Sequence, residues 1–160
     1  MRRDHRLHFL SWDHRKTLYE CFVLSKYLEN FNDEEVLFKK AFFLNLYDSE
    51  LIPHFRAEEE ILLPLMLNHL DSENTLITKL LVQHVTIHHF IQKLKNENTV
   101  HNIRLVLKEL SKFLTEHIRF EERILFETIQ NLLNDDELNQ IDYELKMRYE
   151  GKYDSPSCST

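Results

Sequence analysis

A single glycine among 160 residues, with only three prolines, removes most of the turn chemistry from which many-stranded sheets are built. Tight hairpins rely on glycine to reach positive φ at their central positions. Long helices joined by short polar connections are the natural alternative, and the spacing of the apolar residues agrees.

In the first stretch Leu10, His14, Thr17, Leu18, Cys21, Leu24 and Leu28 recur at helical spacing, with Ser11 as the expected N-cap and Asn30 to Asp33 as the break. A second helix, capped by Asp33, carries its stripe through Phe43, Leu46, Tyr47, Leu51, His54, Glu58, Ile61, Leu62 and Leu65. Pro53 lies inside it, deletes a backbone bond and crowds the preceding turn, so a kink or break is expected just before His54. Pro64 should distort the end in the same way. The turn Asp71 to Asn74 opens a third helix, with Ile77, Leu80, Leu81, His84, Ile87, His88, Ile91 and Leu94 on one face. After Asn96 to Thr99 a fourth follows, with Ile103, Val106, Leu107, Leu110, Phe113, Leu114, His117, Glu121, Ile124, Leu125 and Thr128. These lengths and connections predict an all-α fold, an up-down antiparallel four-helix bundle over residues 1–150. A short fifth helix from Glu137 to Tyr149 packs last, and residues 151–160 form a mobile tail with little to bury.

The stripes are apolar except where they carry histidine and glutamate. His54-Phe55-Arg56-Ala57-Glu58-Glu59 and His117-Ile118-Arg119-Phe120-Glu121-Glu122 are two copies of one motif, each setting a histidine one helical turn before a carboxylate. His14 and His84 occupy the core-facing stripe of the helix before each copy. A buried carboxylate is costly unless something compensates it, and a cation held with nearby imidazoles does so. Each hairpin thus offers a single histidine and a His/Glu pair, and two hairpins would make a metal cage.

Other metal and ligand designs are missing. The positions three before His54, His84 and His117 are Leu51, Leu81 and Leu114, so no Glu-x-x-His pair exists there. There is no His-Glu-x-x-His helix, no Cys-x-x-Cys knuckle and no glycine loop for phosphate. Imidazole and carboxylate without thiolate suit iron, manganese or zinc, and two carboxylates favour a dinuclear centre. The net charge of −7 argues against nucleic acid or an anionic membrane surface as partner. With no apolar stretch fit for a signal peptide or a membrane span, and with two cysteines, Cys21 and Cys158, that make no framework and suit a reducing compartment, a soluble cytoplasmic protein is expected. Cys21 reads as core packing.

From Leu7 to Leu133 the chain resembles the hemerythrin-like HHE cation-binding domains. The resemblance rests on Leu10-Ser11-Trp12-Asp13-His14, Pro53-His54-Phe55-Arg56-Ala57-Glu58-Glu59 and His117-Ile118-Arg119-Phe120-Glu121-Glu122-Arg123. It implies a non-haem di-iron centre in a four-helix bundle, Fe2+/Fe3+ with an oxo or hydroxo bridge. His14, His54, His84 and His117 would be terminal ligands, and Glu58 and Glu121 would bridge. Manganese or zinc would suit the same donors.

Oxygen-carrying members are similar to a five-histidine set, with an aspartate five residues after the last histidine. This chain places Glu121 four after His117, which resembles the four-histidine, two-glutamate members linked to nitric oxide and iron-sulfur stress. Glu122 stands at the fifth position and is the weaker candidate. His88, four residues after His84, would be a possible fifth imidazole, and Glu50, one turn before His54, would act near the site. The function expected is binding of dioxygen or nitric oxide for sensing, storage or stress protection. The alternatives are an enzyme that reduces nitric oxide or peroxide or oxidises a small substrate, an iron store or donor, and a zinc-stabilised scaffold.

Overall fold

The computed structural model describes residues 3–149, and every element among them is helical. The expected tail at 151–160 lies outside the described residues.

A 3-10 turn, His5–Leu7, leads into α1 (His8–Tyr27). Asp4 starts it by accepting the backbone N–H of Arg6 while binding the Arg6 guanidinium at 2.8 Å. Ser11 is therefore inside α1 and not its cap; Leu7 and Leu10, both fully buried, begin the apolar stripe a turn earlier than the cap signal suggested. The second helix, α2, is a continuous helical run over 33–66. Its cap is Asn32 and not Asp33: Asn32 is extended, its side chain accepts from Glu35 N–H, and Glu35 reaches back to the Asn32 N–H. That reciprocal pair satisfies two otherwise orphaned donors.

Pro53 does not break α2. The α-helical pieces Asp33–Leu46, Ile52–Ala57 and Leu63–Met66 are joined by two π-turns, Tyr47–Leu51 and Glu58–Leu62. The proline ring would clash with the carbonyl four residues back, which is Ser49 for Pro53 and Glu60 for Pro64. Both carbonyls lie in the wider π-turns, which leave room for each proline ring.

The third helix, α3 (Thr75–Asn96), is capped by Asn74. The fourth, α4, runs over 100–132 from a Thr99 cap as Val100–Phe120, a π-turn Glu121–Leu125, and Phe126–Leu132. α5 (Asp135–Tyr149) starts two residues before the expected Glu137, because Asn134 and Glu137 exchange a second reciprocal pair of capping bonds. None of the described helices is long and apolar enough to cross a membrane.

The direction of each helix follows from its burial. One core lobe contains Leu7 and Leu10 of the N-terminal end, then Ile61, Leu62 and Met66 of α2, Ile77 and Leu80 of α3, Leu125, Phe126 and Ile129 of α4, and Leu133 just after it. The other contains Leu24 and Leu28, then Val36 to Phe55, Ile87 to Leu94 and Ile103 to Leu114. Successive helices cross from one lobe to the other in alternating sense, which is an up-down antiparallel four-helix bundle. The short α5 closes the first lobe with Leu138, Ile141 and Leu145. α4 packs against α1, α2 and α3.

Two stripe positions depart from expectation. Leu81 is 40% exposed, at the edge of a face that Ile77, Leu80, His84 and Ile87 already fill. Ile124 is 45% exposed because the π-turn at Glu121–Leu125 adds a residue to the helical period and rotates the face onto Leu125, Phe126 and Ile129.

Candidate metal centre

Between the two lobes lies a polar layer that the bundle has buried completely. His14, His54, His84 and His117 are at most 4% exposed, and Glu58 and Glu121 are fully buried. All six expected residues meet there, one histidine from α1, one from α3, and a His/Glu pair each from α2 and α4.

The distances divide them into two halves. Nε2 of His14 lies 3.1 Å from Nε2 of His54 and 3.0 Å from Oε2 of Glu121. On the other side Nε2 of His117 lies 2.8 Å from Oε1 of Glu121, and Nε2 of His84 lies 3.8 Å from that oxygen. His14, His54 and Glu121 form one group able to hold a cation, and His84, His117 and Glu121 form another, each with its ligand atoms within 4.8 Å of one another. Glu58 spans the same division, with Oε1 3.7 Å from His54 and Oε2 3.2 Å from His84. Each carboxylate turns one oxygen toward each half.

The donor set fits a pair of cations on grounds internal to the structure. Both oxygens of Glu58 and Glu121, and Nε2 of His84 and His117, are buried without a well-formed hydrogen bond. Unsatisfied buried carboxylates are expensive, and the groups these face are the ring nitrogens of the four histidines. Electrostatics agrees. Burial alone would depress His54 and His84, yet Glu58 and Glu121, joined at His54 by Asp13, outweigh it and raise each to about 10. Burial would raise Glu121, but His117, His14 and His54 hold it well below the usual carboxylate range. The two carboxylates demand positive charge between them, which protonated imidazoles or a metal can supply.

The outer nitrogens of the histidines are also held. Nδ1 of His14 donates to Oε1 of Glu122 at 2.7 Å, and Nδ1 of His84 donates to Oε1 of Glu59 at 2.7 Å. Nδ1 of His117 donates to Oε1 of Gln83 at 3.1 Å, while Nδ1 of His54 lies 3.5 Å from Oδ2 of Asp13. Such contacts fix the ring and leave Nε2 with its lone pair facing the centre. Sequence reasoning missed Asp13, Gln83 and Glu59 and gave Glu122 no such role. The available signal was the doubled glutamate in both motif copies and the polar residue before each single histidine.

The remaining candidates fall outside the cluster. His88 belongs to neither group; Tyr47 hydrogen-bonds its Nδ1, and it stands edge-on to Phe55. Glu50 pairs with Lys16 and lines a cavity of about 10 Å³ beside His14, His54, His117 and Glu121, with Leu51, Phe55, Leu114 and Ile118 as its apolar wall. His69 is bonded to Glu137, and His5, His89 and His101 are exposed. Cys21 is in the core, where burial pushes its thiol up to about 12.

The sequence matches the family model described as the hemerythrin HHE cation binding domain over residues 5–129. No curated protein sequence and no solved structure gives a match.

Proposed function

This chain belongs to the hemerythrin HHE cation-binding domain family, and we propose that its buried cage holds two iron ions that bind dioxygen or nitric oxide in the cytoplasm, for sensing, storage or stress protection. His14 and His54 serve one ion, His84 and His117 the other, and Glu58 and Glu121 both. The observation that carries this reading is the division of each carboxylate: one oxygen of Glu58 and one of Glu121 faces each histidine pair. A single ion would leave the far oxygens buried and unpaired.

When bound, the iron pair supplies reversible redox change and a position for a small ligand. The chain's own residues supply the rest. Glu122, Glu59 and Gln83 fix the rings of His14, His84 and His117. Leu51, Phe55, Leu114 and Ile118 put an apolar wall beside the centre. Size argues against an organic substrate. The cavity of about 10 Å³ is close to the minimum for one water molecule.

The test is direct. Protein loaded anaerobically with iron should bind two ions per chain and change its visible absorption on exposure to dioxygen or nitric oxide. Two irons with no spectral response to either gas would exclude gas binding, and preferential retention of zinc or manganese would exclude iron.

A further inference from the structure

The hairpins α1–α2 and α3–α4 repeat one another down to the groups behind the histidines. Glu122 of the second hairpin holds His14 of the first, and Glu59 of the first holds His84 of the second, both at 2.7 Å. Within each hairpin, the residue before the single histidine faces the paired one: Asp13 faces His54, and Gln83 faces His117. At that last position the repeat changes chemistry, from a carboxylate to an amide.

An anionic acceptor behind an imidazole N–H draws its proton and makes the opposite nitrogen a stronger donor to a cation; a neutral amide oxygen does so weakly. The crossed pairs nearly cancel in the comparison. Glu122 shares its charge with Arg3 at 2.9 Å, and Glu59 is 37% exposed, so solvent screens it. Asp13 and His54 are buried, at 5% and 2% side-chain exposure; Asp13 also has the Tyr149 hydroxyl as a partner, but that donor is neutral, so solvent and cations screen the charge of Asp13 little even at 3.5 Å.

We infer that the two metal positions are inequivalent, that the His14/His54 position is the stronger, and that Asp13 and Gln83 are the positioning residues that set the difference. The inference rests on the two-ion reading above. Neither residue belongs to either candidate ligand group; each acts through the histidine it faces.

Anaerobic calorimetric titration of the metal-free full chain with Fe2+ tests it. The wild type should fill in two steps whose affinities differ by about 10-fold or more. Asp13→Asn keeps the shape, removes the charge, and should weaken the stronger step by about 10- to 100-fold, closing the gap. Gln83→Glu should strengthen the weaker step and close the gap from the other side, and the double exchange should reopen it. A merely structural role for Asp13 would weaken both steps together and leave their ratio unchanged. Equal steps in the wild type, or a ratio that neither variant moves, would overturn the inference while leaving the two-ion reading intact. Binding of fewer than two ions would overturn both.

Discussion

Replacing Glu121 by glutamine changes charge without changing shape, which separates its electrostatic role from its packing. No cavity is created, so the loss expected for large-to-small core changes does not enter. What is lost is a carboxylate whose oxygens lie 2.8 Å from His117 and 3.0 Å from His14. Breaking a buried ion pair from one side costs about 3–5 kcal/mol. In a domain of this size each kcal/mol moves the melting temperature by about 2–4 °C. The metal-free variant should therefore melt roughly 6–20 °C below the metal-free wild type.

Metal adds a second difference, and this part is diagnostic. A cation that binds only the folded chain stabilises it by about 4 kcal/mol at a thousand times its dissociation constant. If Glu121 serves both positions, the variant should lose at least 100-fold in affinity, about 2.7 kcal/mol of that gain. The gap between wild type and variant should then widen by a further ~5–10 °C when saturating Fe2+ is present. Calorimetric melting of both proteins, with and without metal, reads all four values, and metal analysis gives the stoichiometry. A gap that is the same with and without metal would refute the reasoning, because Glu121 would then be only a partner for charged histidines.

His88→Ala should leave the number of bound irons at its wild-type value, since Tyr47 holds the imidazole away from both ligand groups; a loss of one iron per chain by metal analysis would make His88 a ligand. Asp4 is lowered to about 2 from its usual 3.8, chiefly by its side-chain bond to Arg6, so its contribution is complete above about pH 4 and disappears as pH falls through 2. Denaturant titrations of Asp4→Asn should thus lack a stabilisation of at most about 1 kcal/mol at pH 5, and should converge with the wild type only as pH falls below about 2; parallel pH profiles would disprove the linkage. Asn32→Ala removes one arm of the α2 capping box and should lower stability by about 1 kcal/mol with metal content unchanged. A fall in bound metal there would tie the helix end to the centre, contrary to their separation.

The six caged residues were legible in the sequence because burial makes them so. A glutamate on a stripe of leucines and isoleucines either reaches solvent or demands a partner, and two copies with the same flanks leave the second option. The fold was legible for a related reason: polar breaks fall between stripes long enough to cross the bundle. Asp13 and Gln83 were legible only as polar residues before a caged histidine, not in their partners. Both are adjacent in sequence to a caged histidine but face the histidine of the neighbouring helix, and which residues meet across two helices depends on their axial register. The stripe sets the face and leaves that register open.

The π-turns mark the sharper limit of a period-based reading. A stripe extrapolated at 3.6 residues per turn places Ile124 in the core beyond Glu121, whereas the chain exposes it and buries Phe126. In α2 the prolines give a local reason for widening, since the carbonyls that Pro53 and Pro64 would strike lie in the π-turns before them. In α4 no proline follows Glu121, yet a π-turn begins there just as one begins at Glu58. The feature common to both is the glutamate itself, four residues after a buried histidine and shared between two helical hairpins. A wide turn that lacks a local cause at one of two equivalent positions is best explained by what the positions share, so the widening at Glu58 and Glu121 belongs to the geometry of the centre, whereas the π-turn Tyr47–Leu51 holds no caged residue and has Pro53 as its local cause.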